Sequence, residues 1–269
     1  MVTKTRLAAL AAATVLVLIV LALLQDHAIK VTANSVRDSA SVYLIGRGMD
    51  DQRAIDRTLA LLDHALNRTG AQWNPTDGRQ PISIYLYPSI QEMSQSHPYY
   101  QGSLTLKGYV QCRDHGAAIH MPLHSNRPLL PDRPESQVAN HEAVHAAMCQ
   151  NFGIIANHHA PLWLHEGQAT NLQANPLEKP FVIAFLKLHV AWAGPQTTDG
   201  IEFCYNLPVN GLPTYATSTL FLRHVEEQRP DAANRIMAHI AAGNTFTNAF
   251  QQVTQTSCHK AYEAWAAQG

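Results

Sequence analysis

The sequence predicts an α+β fold, with one helix, then a small antiparallel sheet, then helices to residue 267. Three observations carry this. Segments with a strand period of two fall together between residues 82 and 121. Helical spacings of three and four dominate after residue 135. At 46% hydrophobic, a chain of 269 residues can bury a substantial core.

From Asp50, Ile55, Leu59, Leu62 and Leu66 form one apolar helical stripe, and Gly70 is a suitable stop. Residues 71–81 hold Gly, Pro, Asp and Asn and read as loop. Ile82, Ile84 and Leu86 alternate with Ser83, Tyr85 and Tyr87, the pattern of a strand. Residues 109–112 and 117–121 are two further strands, separated by the turn signal Asp114-His115-Gly116. The segment 122–134 contains four prolines and cannot be regular helix. A helix over 135–150 follows, with Gly153 soon after its end. Pro161 precedes another at 163–174, and 181–192, 214–228, 231–241 and 258–267 complete the helical part.

The N-terminal residues are different in kind. Lys4 and Arg6 precede an apolar run over 7–24. As a helix it rises roughly 27 Å, close to the hydrocarbon thickness of a bilayer. The positive flank should remain cytoplasmic, with the rest of the chain across the membrane. A cleaved signal peptide is the rival reading. The sequence Leu23-Leu24-Gln25-Asp26-His27-Ala28 lacks a clear A-x-A site, which favours an anchor. The organisation is then 1–26 anchor or signal, 27–49 connector, and 50–269 one domain. Its sheet-bearing half runs to about 150 and its helical half covers 151–269. Cys112, Cys149, Cys204 and Cys258 all follow the anchor and would face an oxidising compartment. Two disulfides in any of three pairings fit. With 19 Lys+Arg against 20 Asp+Glu, the chain lacks the basic surplus of a nucleic-acid binder.

The chemistry is carried by His141-Glu142-Ala143-Val144-His145. On a helix, residues four apart share a face, so both imidazoles can meet one ion. Glu142, beside that face, can take a proton from an activated water and pass it to a leaving amine. Chance matches are a concern in a chain with 15 histidines, so context matters. Val138, Val144 and Met148 predict this helix independently of the motif. The strand 117–121 before it offers an edge for an extended peptide. Catalytic zinc takes three protein ligands and a water, and Glu166 is the choice for the third. An antiparallel return through the turn containing Gly153 and Pro161 brings it back towards the histidines. Neighbouring His165 would point about 100° away. Cys149 shares the His141 face but lies about 12 Å along the axis, too far for one ion. His158 and His159 read as surface residues of the intervening loop.

His141 to His145, then Pro161-Leu162-Trp163-Leu164-His165-Glu166-Gly167-Gln168-Ala169, resemble the gluzincin metallopeptidases, and within them the bacterial peptidase MA-like branch. There H-E-x-x-H is followed by a W-x-x-E-G-x-A helix. Tyr215-Ala216-Thr217-Ser218, Leu222, Gly243 and Trp265 are similar to that branch's C-terminal helices, and 82–87 with Pro88-Ser89 to its sheet. The pattern covers about 80–269, and its specific part is 141–169. The resemblance implies a zincin-like fold with a cleft between the two halves and one zinc ion at His141, His145 and Glu166. It also implies that Tyr215 donates to a developing oxyanion; packing at a helix start is the alternative role. Thr170 departs from the pattern, since gluzincins often place there an acidic residue that orients a ligand histidine. A hydroxyl or Asn171 would have to substitute. The expectation is zinc-dependent peptide-bond hydrolysis on extracytoplasmic proteins or peptides, in the periplasm or at the cell exterior, by an inner-membrane-anchored enzyme. The alternatives are an inactive zincin serving as a membrane-tethered binding module, and a structural protein with a coincidental motif. The sequon Asn67-Arg68-Thr69 is incidental in a bacterial chain.

Overall fold

A computed structural model describes residues 41–46, 49, 51–71, 78, 81–96, 108–114, 116–124, 135–173, 179–195, 197–207 and 211–268. The expected anchor, most of the 71–81 loop and residues 125–134 of the proline-rich segment lie outside them. Among the described residues no helix is long and apolar enough to cross a membrane. The fold is mixed α and β, with one four-stranded sheet and a larger number of helices.

The elements follow in chain order. Strand β1 (Ser41–Leu44) precedes helix α1 (Gln52–Thr69), strand β2 (Ile82–Ser89) and helix α2 (Ile90–Ser96). Strands β3 (Tyr109–Arg113) and β4 (Gly116–His124) form a hairpin. Helices α3 (Glu135–His159), α4 (Leu162–Gln173) and α5 (Lys179–Ala193) come next. A π-helical turn (Glu202–Asn206) leads to α6 (Leu212–Gln228), α7 (Ala232–Ala241), α8 (Phe246–Thr254) and α9 (Cys258–Ala266).

Helix α1 matches its sequence pattern closely. Asp51 caps it by accepting from the Ala54 N–H at 3.0 Å, and Gly70 ends it in the left-handed region at φ 74°. Ile55, Leu59, Leu62 and Leu66 are buried along one face. In α3, Gly153 (φ 73°, ψ 176°) breaks the helix as its sequence suggests, but a second helical segment continues to His159. His158 and His159 therefore lie in a last helical turn, exposed, and not in a loop. Helix α8 extends the expected set: Phe246, Ala249, Phe250 and Val253 form its buried stripe.

The sheet differs from the expectation in three ways. Its order is β1-β2-β4-β3, with β1–β2 and β2–β4 parallel and only β3–β4 antiparallel. It is therefore mixed, not antiparallel. The stretch 27–49 is not all connector, because it contains β1, which is too short for a period of two to stand out. Residues 117–121 do not form an edge: β4 is paired on both sides, and β3 ends the sheet order. Parallel pairing needs a crossover, which α1 supplies between β1 and β2.

One sheet face presents Ile82, Ile84, Leu86, Ile119 and Met121 to α1 and α3. On the other, Tyr43, Tyr85, His120 and Tyr109 stand directly across from one another on the four strands. Their rings stack at 4.7, 4.7 and 4.2 Å between centroids, which fixes the register of the whole sheet. The helical half packs around Trp163, Phe203, Phe221, Phe250 and Tyr262, all fully buried. Cys204–Cys258 ties the π turn to α9.

Helices α4 and α6 approach very closely at Gly167, where a Cβ would lie 2.7 Å from the Ser218 carbonyl oxygen. A backbone oxygen cannot swing aside, so the added methyl must separate the helices. Gly167→Ala should lose about 1–3 kcal/mol. Urea unfolding should show this as a lower midpoint at unchanged slope.

Candidate metal centre

Helix α3 lies between two cores. Val138, Ala139, Ala143, Ala146 and Ala147 pack towards the sheet, while Val144 and Met148 join the helical core. Apolar residues on both flanks bury the helix nearly all round, and His141 and Glu142 are buried with it. Trp163, Leu164 and Ala169 hold α4 in the helical core. That packing turns Glu166 towards α3.

The ligand atoms of His141, His145 and Glu166 all lie within 4.8 Å of one another. His145 Nε2 is 3.2 Å from His141 Nε2. Glu166 Oε2 is 3.1 Å from His141 Nε2, and its Oε1 is 3.8 Å from His145 Nε2. Bonds of about 2.05 Å in a tetrahedral site place ligand atoms about 3.3 Å apart. The cluster has the dimensions of such a site, and this group can hold a metal ion.

Electrostatics lead to the same conclusion. Gln173 Oε1 accepts the Nδ1–H of His141 at 3.1 Å, which directs the lone pair of Nε2 into the cluster. Burial drives the His145 imidazole down to about 3, with His141 and His165 adding to the effect and Glu166 opposing it. His145 is thus neutral, the form that ligates metals. Burial pushes the Glu166 carboxyl up, but the neighbouring His141, His145 and His165 outweigh it and bring it to about 2. With Nε2 of both histidines and the Glu166 carboxylate facing one another, the group could bind a metal ion.

The neighbouring residues sort clearly. His165 turns away, its Nε2 donating to the Asn157 carbonyl oxygen at 3.0 Å. Burial also lowers its pKa, against the opposing charge of Glu166. Tyr215, in the first turn of α6, sets its ring edge-to-face with His141 at 5.8 Å between centroids. A Cβ at Gly108, beside the start of β3, would lie 3.0 Å from Glu142 Cγ. The sheet's end strand therefore begins against the Glu142 carboxylate. Cys149 is no ligand; its disulfide with Cys112 staples β3 to α3.

Thr170 does not orient a ligand, since its buried hydroxyl has no hydrogen-bond partner among the described residues. Asn171 is engaged elsewhere, accepting from Arg223 at 3.3 Å. Gln173 takes the orienting role instead. It lies two helical turns beyond Glu166 and so on the same face, a spacing legible in the sequence once Glu166 is chosen. Its own position is pinned by Arg68 at the end of α1. Arg68 Nη2 donates to the carbonyl oxygens of Leu172 at 2.6 Å and Gln173 at 2.8 Å.

Gln173→Leu removes the acceptor for His141 Nδ1, and metal affinity should fall about 10–100-fold. Gln173→Glu keeps an acceptor and should bind within a few-fold of the parent protein. Chelator competition measures both, and equal affinity for Gln173→Leu and the parent would exclude the orienting role. No family model matches this chain and no curated protein matches it, so the reading of the site rests on its own geometry.

Proposed function

We propose that this chain is a zinc-dependent peptidase with a zincin-like, gluzincin-type architecture. The observation that carries the reading is the convergence of two imidazoles and a carboxylate from two helices, with a second carboxylate next along one of them. His2Glu is a standard catalytic zinc set that leaves a position for water. Zinc bound there supplies Lewis acidity, which makes water a nucleophile near neutral pH and polarises a carbonyl oxygen. Softer metals prefer thiolates, and both cysteine pairs are held in disulfides.

The chain's own groups have separate tasks. Glu142, buried against Gly108, accepts the water proton at its carboxylate and returns it to the departing amine nitrogen. The Tyr215 hydroxyl, carried on a ring against His141, donates to the carbonyl oxygen as negative charge develops there. Strand β3 ends the sheet among the described residues, and an extended peptide that adds as a further strand would pair with its main chain. The Cys112–Cys149 disulfide holds that strand at the catalytic helix. Two disulfides and the apolar run over 7–24 support a site outside the cytoplasm, on the far side of an anchoring membrane. A second reading, a non-catalytic zinc-holding module, is favoured by the neutral Gln173 where an acidic partner would make His141 a stronger ligand.

The test compares metal content with peptide hydrolysis. The full chain, purified without chelators, should hold one zinc, and His145→Ala should lose it. Glu142→Gln should retain zinc while hydrolysis of a peptide library falls about 100-fold or more. Cleavage by Glu142→Gln at the parental rate would falsify the assignment, and zinc without turnover in the parent chain would establish the second reading. Tyr215→Phe should lower kcat about 100-fold with KM nearly unchanged, as expected for a donor that acts in the transition state.

A further inference from the structure

Helix α5 is apolar on two opposite faces. Ile183 and Leu186 are buried, and with Val182 and Val190 they pack on Ala216 and Leu220 of α6. On the reverse side, Phe181, Phe185, Leu188 and Trp192 recur at spacings of four, three and four, one outward stripe. They are 43%, 43%, 40% and 82% exposed. Ala184 and Ala191 widen the stripe and are exposed as well. Scattered surface hydrophobes need no explanation, but a contiguous aromatic stripe on a helix apolar all round does.

We propose that the outer face of α5 docks on the lipid bilayer surface. Two features on the page select that occupant. The helix has no acidic residue, and its polar positions are Lys179, Lys187 and His189, with Lys187 exposed on a flank about 130° around the helix from the stripe. An aromatic and aliphatic face on a helix with basic residues and no acidic ones is the composition of a helix lying in the headgroup boundary. The second feature is the apolar run over 7–24, of bilayer length by sequence. Residues 25–40 connect it to β1 and, even fully extended, reach no more than roughly 55 Å. A domain so tethered meets the membrane at high effective concentration, so a weak surface contact is sufficient. A second copy of the chain is a poorer occupant. Stable interfaces bury about 800 Å² per partner, and three half-exposed side chains with one largely exposed tryptophan on a single helix supply much less. Docking through α5 would hold α6, and with it Tyr215, at a fixed orientation to the membrane, directing the metal centre towards substrates near the bilayer. It does not depend on the zinc reading.

Tryptophan fluorescence of the full chain tests this. The protein is reconstituted in phosphatidylcholine–phosphatidylglycerol vesicles with and without brominated acyl chains. Subtracting the Trp192→Phe spectrum isolates the emission of Trp192 from the other three tryptophans. Docking predicts that this component shifts to shorter wavelength and loses most of its intensity to bromine. Phe185→Asp combined with Leu188→Asp should restore solvent-like, unquenched emission. Unquenched, solvent-like Trp192 emission in the parent chain would overturn the proposal. So would failure of the chain to float with the vesicles, or cross-linked dimers that vanish in the double variant while bromine has no effect on Trp192.

Discussion

Polar groups that could each offer a lone pair to one ion converge at a single point of this protein, with His141 Nε2 3.1 Å from Glu166 Oε2 and 3.2 Å from His145 Nε2. The rest of the structure depends on making that arrangement stable. A folded chain normally keeps imidazoles and carboxylates apart or supplies donors between them. Here the packing of α3 and α4 forces them together, and Gln173 directs a His141 lone pair inwards. Two hydrophobic cores hold the cluster in place, and the group could bind a metal ion.

Rigidity is supplied from several directions. Helix α3 is wedged between the sheet core and the helical core, which fixes the backbone that carries both imidazoles. Gly167 lets α4 settle onto the backbone of α6, which brings both Glu166 and Tyr215 to the same histidine. Arg68 reaches from the end of α1 to the last carbonyls of α4, a favourable place for a positive charge. The Cys112–Cys149 disulfide closes the remaining side by tying β3 to α3. A functional constellation has to be held to within about 0.5 Å, and supporting contacts from several elements serve that need.

The sheet and the helical half have different roles around this centre. The stacked column of Tyr43, Tyr85, His120 and Tyr109 fixes strand register and so fixes where β3 begins relative to Glu142. The helical half carries Glu166, the third candidate ligand, and Tyr215, and through α5 an apolar face directed away from both cores. A bilayer contact there, as proposed, would join the chemistry of the site to its place in the cell.

The sequence by itself determined the local features. The stripe of Ile55, Leu59, Leu62 and Leu66 defined α1, the alternation at 82–87 defined β2, and the four-residue spacing of His141 and His145 put both on one face. These are set by backbone periodicity, which neighbours in sequence encode directly. Glu166 was legible because a short return between two helices limits where the second can go. Tertiary structure alone decided the rest. Strand order, the pairing of β1 with β2, the choice among disulfide pairings and the place of Gln173 against His141 join residues far apart in sequence. Such contacts follow from how volumes fill a common core, and no local pattern contains that information.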